Sequence, residues 1–127
     1  MAHILLLEPD TLLGNTYRAA LEFSGHTVTL CQDAQAAVHN MDIEAPDIII
    51  TELSLAVHNG VEFLYELRSY AEWQNIPVVV LSHTPSVHAD VMRVLWQELR
   101  IAAYHYKPLT KLADLIRSVE QTLVPAL

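Results

Sequence analysis

Residues 45–60 read APDIIITELSLAVHNG, and the pattern in this stretch decides the fold. Three consecutive isoleucines, Ile48–Ile50, follow Pro46 and Asp47 and stop at Thr51-Glu52. A short, wholly apolar run that is bounded by proline and polar residues is typical of a strand buried on both faces. Such strands belong to parallel sheets that are covered by helices, so this stretch predicts an α/β domain with polar residues at the strand end.

Similar apolar runs recur on both sides of this stretch. Ile4–Leu7 and Val78–Leu81 predict buried strands, His26–Leu30 alternates and predicts a more exposed strand, and Ile101–Tyr104 predicts the last strand. Amphipathic stretches with helical spacing separate the runs, so the pattern is βα repeated five times. This alternation predicts a doubly wound parallel sheet of five strands with helices on both faces.

Polar and glycine residues mark the helix boundaries. Gly25 is a stop signal for the first helix, and Asp33 is a cap for the second. Asn59-Gly60 precedes the third helix, and Thr110 is the predicted cap of the last one.

Composition narrows the classes of function. The chain of 127 residues fits one domain, 1–127, and its formal net charge of −8 argues against binding to nucleic acid or to an anionic membrane. The N-terminus lacks the features of a signal peptide, and every apolar run is far shorter than a membrane span. Cys31 is the only cysteine, which fits a reducing cytoplasm. We therefore expect a soluble cytoplasmic domain that contacts neither nucleic acid nor membrane.

Polar side chains follow four of the predicted strands. In sheets of this kind, sites form beyond the carboxyl ends of the strands, where the strand order reverses. The residues expected at that edge are Glu8, Pro9, Asp10, Glu52, Ser82, His83, Lys107 and Pro108.

These segments together resemble the receiver domain of bacterial two-component response regulators. HILLLEPD is similar to the first strand of that family with its acidic pair, and the stretch at 45–60 is similar to the segment with the phosphorylated aspartate. IPVVVLSH matches the strand that ends in Ser or Thr, and AAYHYKP matches the Lys-Pro segment with its switch aromatic. Glu52 and Ser82 lie 30 positions apart, in register with the family, whereas Ser82 and Lys107 lie 25 apart, a few more than usual. The excess is expected in or beside the fourth helix.

The resemblance implies a flavodoxin-like (βα)5 fold with strand order 2-1-3-4-5, a role in signalling and no enzymatic activity. It also implies a site that departs from the family. Glu52 stands at the phospho-acceptor position, and its extra methylene displaces the carboxylate. A misplacement of a reacting group by about 1 Å can lower the reaction rate about 10²-fold. Pro9 stands at a metal-ligand position and has no side-chain oxygen. We therefore expect Mg²⁺ binding to be lost or weak.

Other positions of the family site are retained. Glu8 matches the first acidic position, and Asp10, one place late, is expected to point away from the site. Ser82, Tyr104 and Lys107 match the residues that respond to phosphorylation in the family. Ala56 replaces a proline that usually follows the acceptor, so a looser loop is expected there.

Several interpretations of this site stay open. Glu52 could imitate a phosphoaspartate through an ion pair with Lys107, with Ser82 alongside, or it could only fill a vacated site. The domain could instead accept a phosphoryl group with an altered metal geometry, through Glu8, Asp10 or Glu52. Glu8, Glu52 and His83 could hold Zn²⁺ or Mn²⁺, which suit mixed carboxylate and imidazole ligands. A small enzyme on this scaffold is the remaining class, although Gly14, Gly25 and Gly60 are isolated and form no nucleotide loop.

The fourth helix, predicted over Val87–Leu99, has an unusually wide apolar arc of about 200°. Its surplus edge, formed by Met92, Trp96 and Leu99, is expected to stay partly exposed. The face made by the fourth helix, fifth strand and fifth helix is where many receivers dimerise or meet partners, so these three residues are interface candidates for a homodimer or a protein partner. Alternatively, the excess residues bend the helix and bury Trp96. Trp73 is interpreted as local packing.

Overall fold

The computed structural model describes residues 1–55, 59–85 and 89–124. Five strands form one parallel sheet in the order β2-β1-β3-β4-β5, as the resemblance implied. The strands are β1 (His3–Leu7), β2 (Thr27–Cys31), β3 (Ile48–Thr51), β4 (Val78–Ser82) and β5 (Ala103–Tyr106). The helices are α1 (Thr11–Phe23), α2 (Ala34–Ile43), α3 (Gly60–Ser69), α4 (Ala89–Arg93) and α5 (Leu112–Leu123). No helix in this described part of the chain is long and apolar enough to cross a bilayer.

Two apolar layers sandwich the sheet because the central strands carry apolar side chains on both faces. Leu5, Leu7 and Ile49 point into the layer that includes residues of α2 and α3. Ile4 and Ile50 point into the opposite layer, which includes residues of α1 and α5. The prediction of strands buried on both faces is therefore confirmed for β1, β3 and β4, whose residues from Ile4 onward are all buried.

The predicted bounds were wrong at two strands. β2 begins at Thr27, because the backbone N–H of His26 donates to the Leu21 carbonyl at the end of α1. β5 begins at Ala103, two residues late, because the N–H of Ile101 donates to the carbonyl of Leu95 within the preceding helix.

Helix caps agree with the sequence at the first three helices. Gly25 has φ = 99° directly after α1, Asp33 accepts from the Ala36 N–H, and Asn59 accepts from the Glu62 N–H. The prediction of Thr110 as the last cap was wrong. Lys107–Leu109 form a 3₁₀ turn that accepts the Thr110 N–H, and α5 is capped at Lys111 instead.

The predicted fourth helix is not regular. Val87 lies outside the described residues, α4 spans Ala89–Arg93, and Val94–Glu98 continue as a π-helical segment. The Leu99 N–H donates to the carbonyl of Val94, five residues earlier, at 2.8 Å. A π turn holds more residues than an α turn, so this segment absorbs part of the excess length expected between Ser82 and Lys107.

Candidate functional site

Glu52 occupies the first position after β3, at the carboxyl edge of the sheet where the strand order reverses between β1 and β3. Its side chain is buried, with 2% exposed. Gly60 makes this close packing possible, since a Cβ there would lie 2.7 Å from the Glu52 carbonyl oxygen and from the Leu53 Cα. The glycine at the end of the stretch 45–60 therefore lets the start of α3 approach the site residue.

Both oxygens of the Glu52 carboxylate accept hydrogen bonds. Oε2 accepts from the Leu53 N–H at 2.7 Å. Oε1 accepts from the Lys107 ammonium at 3.2 Å, from the His83 N–H at 3.2 Å and from His83 Nδ1 at 2.5 Å. The predicted Glu52–Lys107 ion pair is confirmed. The sequence brought His83 together with Glu52 only in the alternative of a metal site and did not predict a direct contact between the two side chains. The position of His83 directly after Ser82 was the available signal.

Lys107 also contacts a second carboxylate. Its Nζ lies 2.7 Å from Glu8 Oε1, closer than the 3.2 Å to Glu52 Oε1. Glu8 is 3% exposed, and 12% of the Lys107 side chain is exposed. One ammonium group therefore sits between two buried carboxylates that come from the ends of β1 and β3.

Electrostatics keep Glu52 and Lys107 ionised. Burial alone would raise the pKa of Glu52, but hydrogen bonds from Ser82 and His83 and the charge of Lys107 bring it below its ordinary value. Burial would lower the pKa of Lys107, but its hydrogen bonds and the charges of Glu8 and Glu52 raise it above its ordinary value. The lysine is thus a firmly held cation and Glu52 a firmly held anion.

The two residues that follow Glu8 contribute no oxygen to the group formed by Glu8, Glu52 and Lys107. Pro9 follows Glu8 without a side-chain donor or acceptor. Asp10 is exposed, and its carboxylate caps α1 by accepting the Leu13 N–H at 3.0 Å. The expectation that Asp10 points away is confirmed. These residues, with Glu8, Glu52, His83 and Lys107, line a cleft of about 340 Å³.

The other retained residues form a chain of contacts beside Glu52. The Ser82 hydroxyl accepts from the Thr84 N–H at 3.1 Å, and the Tyr104 hydroxyl donates to the Thr84 carbonyl at 2.5 Å. Tyr104 also packs against the apolar layer under α2 and α3, so its ring points inward. Burial raises the pKa of the Tyr104 phenol, Ser82 lowers it in part, and the charge of Glu52 raises it further.

The three interface candidates differ in exposure. Trp96 is 44% exposed and therefore stays at the surface, whereas Met92 is partly buried against the core. The prediction for Leu99 was wrong: it is 1% exposed, because the π-helical segment directs it inward alongside Leu95. Val91, on the same helix, is 43% exposed. Trp73 is buried and packs edge-on against Tyr70, as interpreted.

The alternative of a carboxylate–imidazole metal site finds no support in this part of the chain. Among the residues the structure describes, no group of three or more His, Cys, Asp or Glu side chains could hold a metal ion. Ala56 lies outside those residues, so the looser loop expected there stays a prediction.

A five-stranded doubly wound domain with an acid–lysine centre at the strand ends is the architecture of a signalling receiver. The family model of the response regulator receiver domain matches residues 4–120. The chain therefore belongs to the response regulator receiver domain family, and its role as a receiver domain in signalling follows from that membership.

Similar proteins agree with this family. The KDP operon transcriptional regulatory protein KdpE of Escherichia coli is 33% identical over 82 residues, which are 65% of this chain and 35% of that protein. The virulence transcriptional regulatory protein PhoP of Salmonella typhimurium is 32% identical over 82 residues, 65% of this chain and 36% of that protein. The chain thus spans about a third of the length of these curated relatives.

Solved structures show the same fold. The Vibrio cholerae chemotaxis protein CheY4 superposes with a TM-score of 0.86 at 18% identity, covering 97% of this chain and 99% of that one. The non-phosphorylated HemR receiver domain of Leptospira biflexa gives a TM-score of 0.86 at 22% identity, covering 100% and 98%.

Proposed function

We propose that this receiver domain works as a phosphorylation-independent signalling and protein-interaction module, in which Glu52 replaces the phospho-acceptor aspartate. The observation that carries the proposal is the Lys107 ammonium, which lies between Glu8 and Glu52 at 2.7 Å and 3.2 Å. In an ordinary phosphorylation reaction, a metal ion neutralises the acceptor and the phosphoryl oxygens. Here a residue of the chain neutralises the carboxylates instead.

The residues present do not fit a Mg²⁺ site. Mg²⁺ demands near-octahedral oxygen coordination at about 2.0–2.1 Å. The Glu8 and Glu52 oxygens already accept the lysine, Pro9 has no oxygen to offer, and the Asp10 carboxylate caps α1. Mg²⁺ binding is accordingly lost or weak, and no step of the proposed function depends on it.

Glu52 supplies in part what a phosphoryl group would supply. It carries a fixed negative charge beyond the end of β3, and it accepts from Lys107 and from the backbone N–H groups of Leu53 and His83. A phosphoryl group would carry more charge and three acceptor oxygens, so the imitation is partial. With Tyr104 held inward on the Thr84 carbonyl, the domain keeps one fixed state.

The proposed contact face is formed by α4 with its π-helical segment, β5 and α5. Glu98 lies toward α3, because it accepts a hydrogen bond from the Tyr65 hydroxyl at 3.3 Å. Leu95 points into the core, and on a helix the side chains of Trp96 and Glu98 project to opposite sides of the Leu95 side chain. Trp96 therefore lies on the side toward β5, where an exposed Trp can anchor a second copy or another protein.

Similarity to parts of longer regulators suggests the setting in which this domain works. The chain matches about a third of two transcriptional regulatory proteins. We propose that it acts in the cytoplasm and that, with a net charge of −8, this domain itself binds neither nucleic acid nor membrane.

The deciding experiment is incubation with acetyl phosphate and Mg²⁺, followed by intact-mass measurement. The expected result is no added phosphoryl mass, even after long incubation. The double variant Pro9→Asp/Glu52→Asp serves as a matched comparison because it restores both carboxylates of the family site. Stoichiometric labelling of the unmodified chain would overturn the proposal in favour of an unconventional phospho-accepting switch with altered metal geometry.

The contact face is tested by light scattering of Trp96→Ala. Loss of a self-associated species, or of binding to a partner isolated with the intact protein, is the expected result. Ile43→Ala is the control, since Ile43 is an exposed apolar residue but lies on α2. An unchanged mass together with unchanged partner binding in Trp96→Ala would exclude this face.

A further inference from the structure

His83 occupies an unusual position at the mouth of the site. Its side chain is 62% exposed, yet its Nδ1 lies 2.5 Å from the buried Oε1 of Glu52. The other described groups that donate to Glu52 are backbone N–H groups, the buried Ser82 hydroxyl and the mostly buried Lys107. The imidazole is thus a solvent-facing side chain that reaches into the centre of the site.

The short contact fixes the chemistry of the imidazole. A carboxylate only accepts hydrogen bonds, so Nδ1 must carry the hydrogen and donate to Glu52. Both the imidazolium and the neutral tautomer with the hydrogen on Nδ1 satisfy this requirement. The contact therefore does not depend on a change of charge.

The next residue along the chain connects this contact to Tyr104. The Thr84 N–H donates to the Ser82 hydroxyl at 3.1 Å, and the Thr84 carbonyl accepts from the Tyr104 hydroxyl at 2.5 Å. One peptide bond separates His83 from Thr84. A displacement of His83 would consequently move the carbonyl that holds the Tyr104 ring.

The Tyr104 ring in turn packs against the same apolar layer as the helix that carries the contact face. Tyr104, Met92 and Val94 all pack against the same apolar layer, which contains Leu95. Trp96 directly follows Leu95 and is exposed. The contacts therefore run from Glu52 through His83 and Thr84 to the Tyr104 ring, which shares one apolar layer with the helix of the proposed contact face.

We propose that His83 is a positioning residue whose imidazole fastens the loop after β4 to Glu52 and thereby sets the placement of Tyr104 and the contact face. The inference rests on the proposed function, because it assigns to Glu52 the role of a permanent anchor. It adds that the anchor needs the side chain of His83 in addition to the backbone donors, Ser82 and Lys107. An exposed His without this role would leave the loop unchanged when removed.

The test is amide and indole NMR of His83→Ala in the full chain. We expect hydrogen exchange at the Thr84 N–H to accelerate about tenfold, equivalent to about 1.4 kcal/mol, which is near the worth of one charge-assisted hydrogen bond. The Trp96 indole resonance should shift while that of the buried Trp73 stays in place. His39→Ala is the control, since His39 is an exposed histidine on α2.

Two further variants separate positioning from a general loss of stability. In His83→Asn the side-chain amide can donate from nearly the same place, so Thr84 protection and the Trp96 shift should return toward wild type. In a Glu52→Gln background, His83→Ala should have a smaller effect than in the wild type, because the two residues act through one contact. Unchanged Thr84 exchange and Trp96 resonance in His83→Ala, or full additivity with Glu52→Gln, would overturn the inference. Labelling by acetyl phosphate would overturn the proposed function and leaves these NMR outcomes separately measurable.

Discussion

Replacing Lys107 by methionine tests the charge balance of the site most directly. Methionine keeps much of the aliphatic volume of lysine and removes the ammonium that contacts Glu8 at 2.7 Å and Glu52 at 3.2 Å. Both carboxylates are nearly inaccessible to solvent. The variant therefore leaves two like charges buried next to each other without their shared cation.

The magnitude follows from the partners that remain. Removing one partner of a buried ion pair costs about 3–5 kcal/mol. Glu52 keeps hydrogen bonds from Leu53 and His83, and Glu8 keeps one from the Asp10 N–H, so we expect the lower end, about 3 kcal/mol. With an m-value of about 1.5 kcal/mol per molar urea, the unfolding midpoint should fall by about 2 M at pH 7.

The pH dependence of the stability difference between Lys107→Met and wild type provides a second, independent test. In the wild type the pKa of Glu52 lies below its ordinary value, so its contribution to stability is present above the unfolded pKa and lost as pH falls through the folded one. Without Lys107 the pKa of Glu52 should rise, and the folded variant can neutralise itself by taking up a proton. The deficit relative to wild type should therefore shrink between pH 7 and pH 5.

Urea unfolding followed by circular dichroism at both pH values measures these quantities. Lys111→Met is the matched control, because Lys111 is exposed and lies just before α5. A loss below about 1 kcal/mol at pH 7, the usual worth of an exposed pair, would refute the buried-triad reasoning. A stability deficit of Lys107→Met that grows between pH 7 and pH 5 would refute the same reasoning.

Three further predictions concern other parts of the fold. Gly60→Ala should lower the free energy of unfolding by about 1–3 kcal/mol in urea titration, because the new methyl group would meet the backbone of Glu52 and Leu53 at 2.7 Å. Burial lowers the pKa of His105, and Asp114 raises it in part. As the pH falls, His105 therefore takes up a proton in the unfolded chain before it does so in the folded one, and the free energy of unfolding decreases from pH 7 to pH 5. His105→Gln should reduce that decrease. Burial raises the pKa of the Cys31 thiol to about 11, so iodoacetamide at pH 8 should alkylate it slowly in the native protein and rapidly in urea, as mass spectrometry can follow.

Each of these has its own control. Gly14→Ala should cost less than Gly60→Ala, because its nearest atoms belong to the side chains of Leu30 and Glu8, which can move; equal costs would contradict the explanation from backbone contact. His39→Gln should leave the pH slope unchanged, and an equal effect of both His variants would remove the assignment to His105. Fast alkylation of native Cys31 would show that the thiol is accessible.

The sequence predicted the sheet because Ile4–Leu7, Ile48–Ile50 and Val78–Leu81 are wholly apolar, and short runs bounded by proline and polar residues are typical of strands covered on both sides. It predicted the Glu52–Lys107 pair because the ends of parallel strands meet at one edge. It did not predict that Lys107 lies closer to Glu8, since side-chain reach across that edge depends on exact strand register. The position directly after Ser82 placed His83 at the same edge. The hydrophobic pattern gives no direction for an exposed side chain, so the contact with Glu52 was not predicted.

The fourth helix shows a different limit of sequence reasoning. A projection at 100° per residue assumes α geometry throughout, whereas Val94–Glu98 are π-helical. The wider turn changes the direction of the side chains that follow, so Leu99 faces the core and Trp96 stays at the surface. The spacing between Ser82 and Lys107 predicted the extra residues, but it did not predict the conformation that these residues adopt.

The position of Lys107 has a consequence for how this domain responds to its surroundings. A dissolved cation occupies a site according to its concentration, whereas a cation tethered to the chain has a fixed effective concentration and cannot diffuse away. The ammonium of Lys107 is delivered to Glu8 and Glu52 by folding itself. The charge balance of this pocket is therefore set by the sequence, and every folded copy of the chain has it without taking up a dissolved cation.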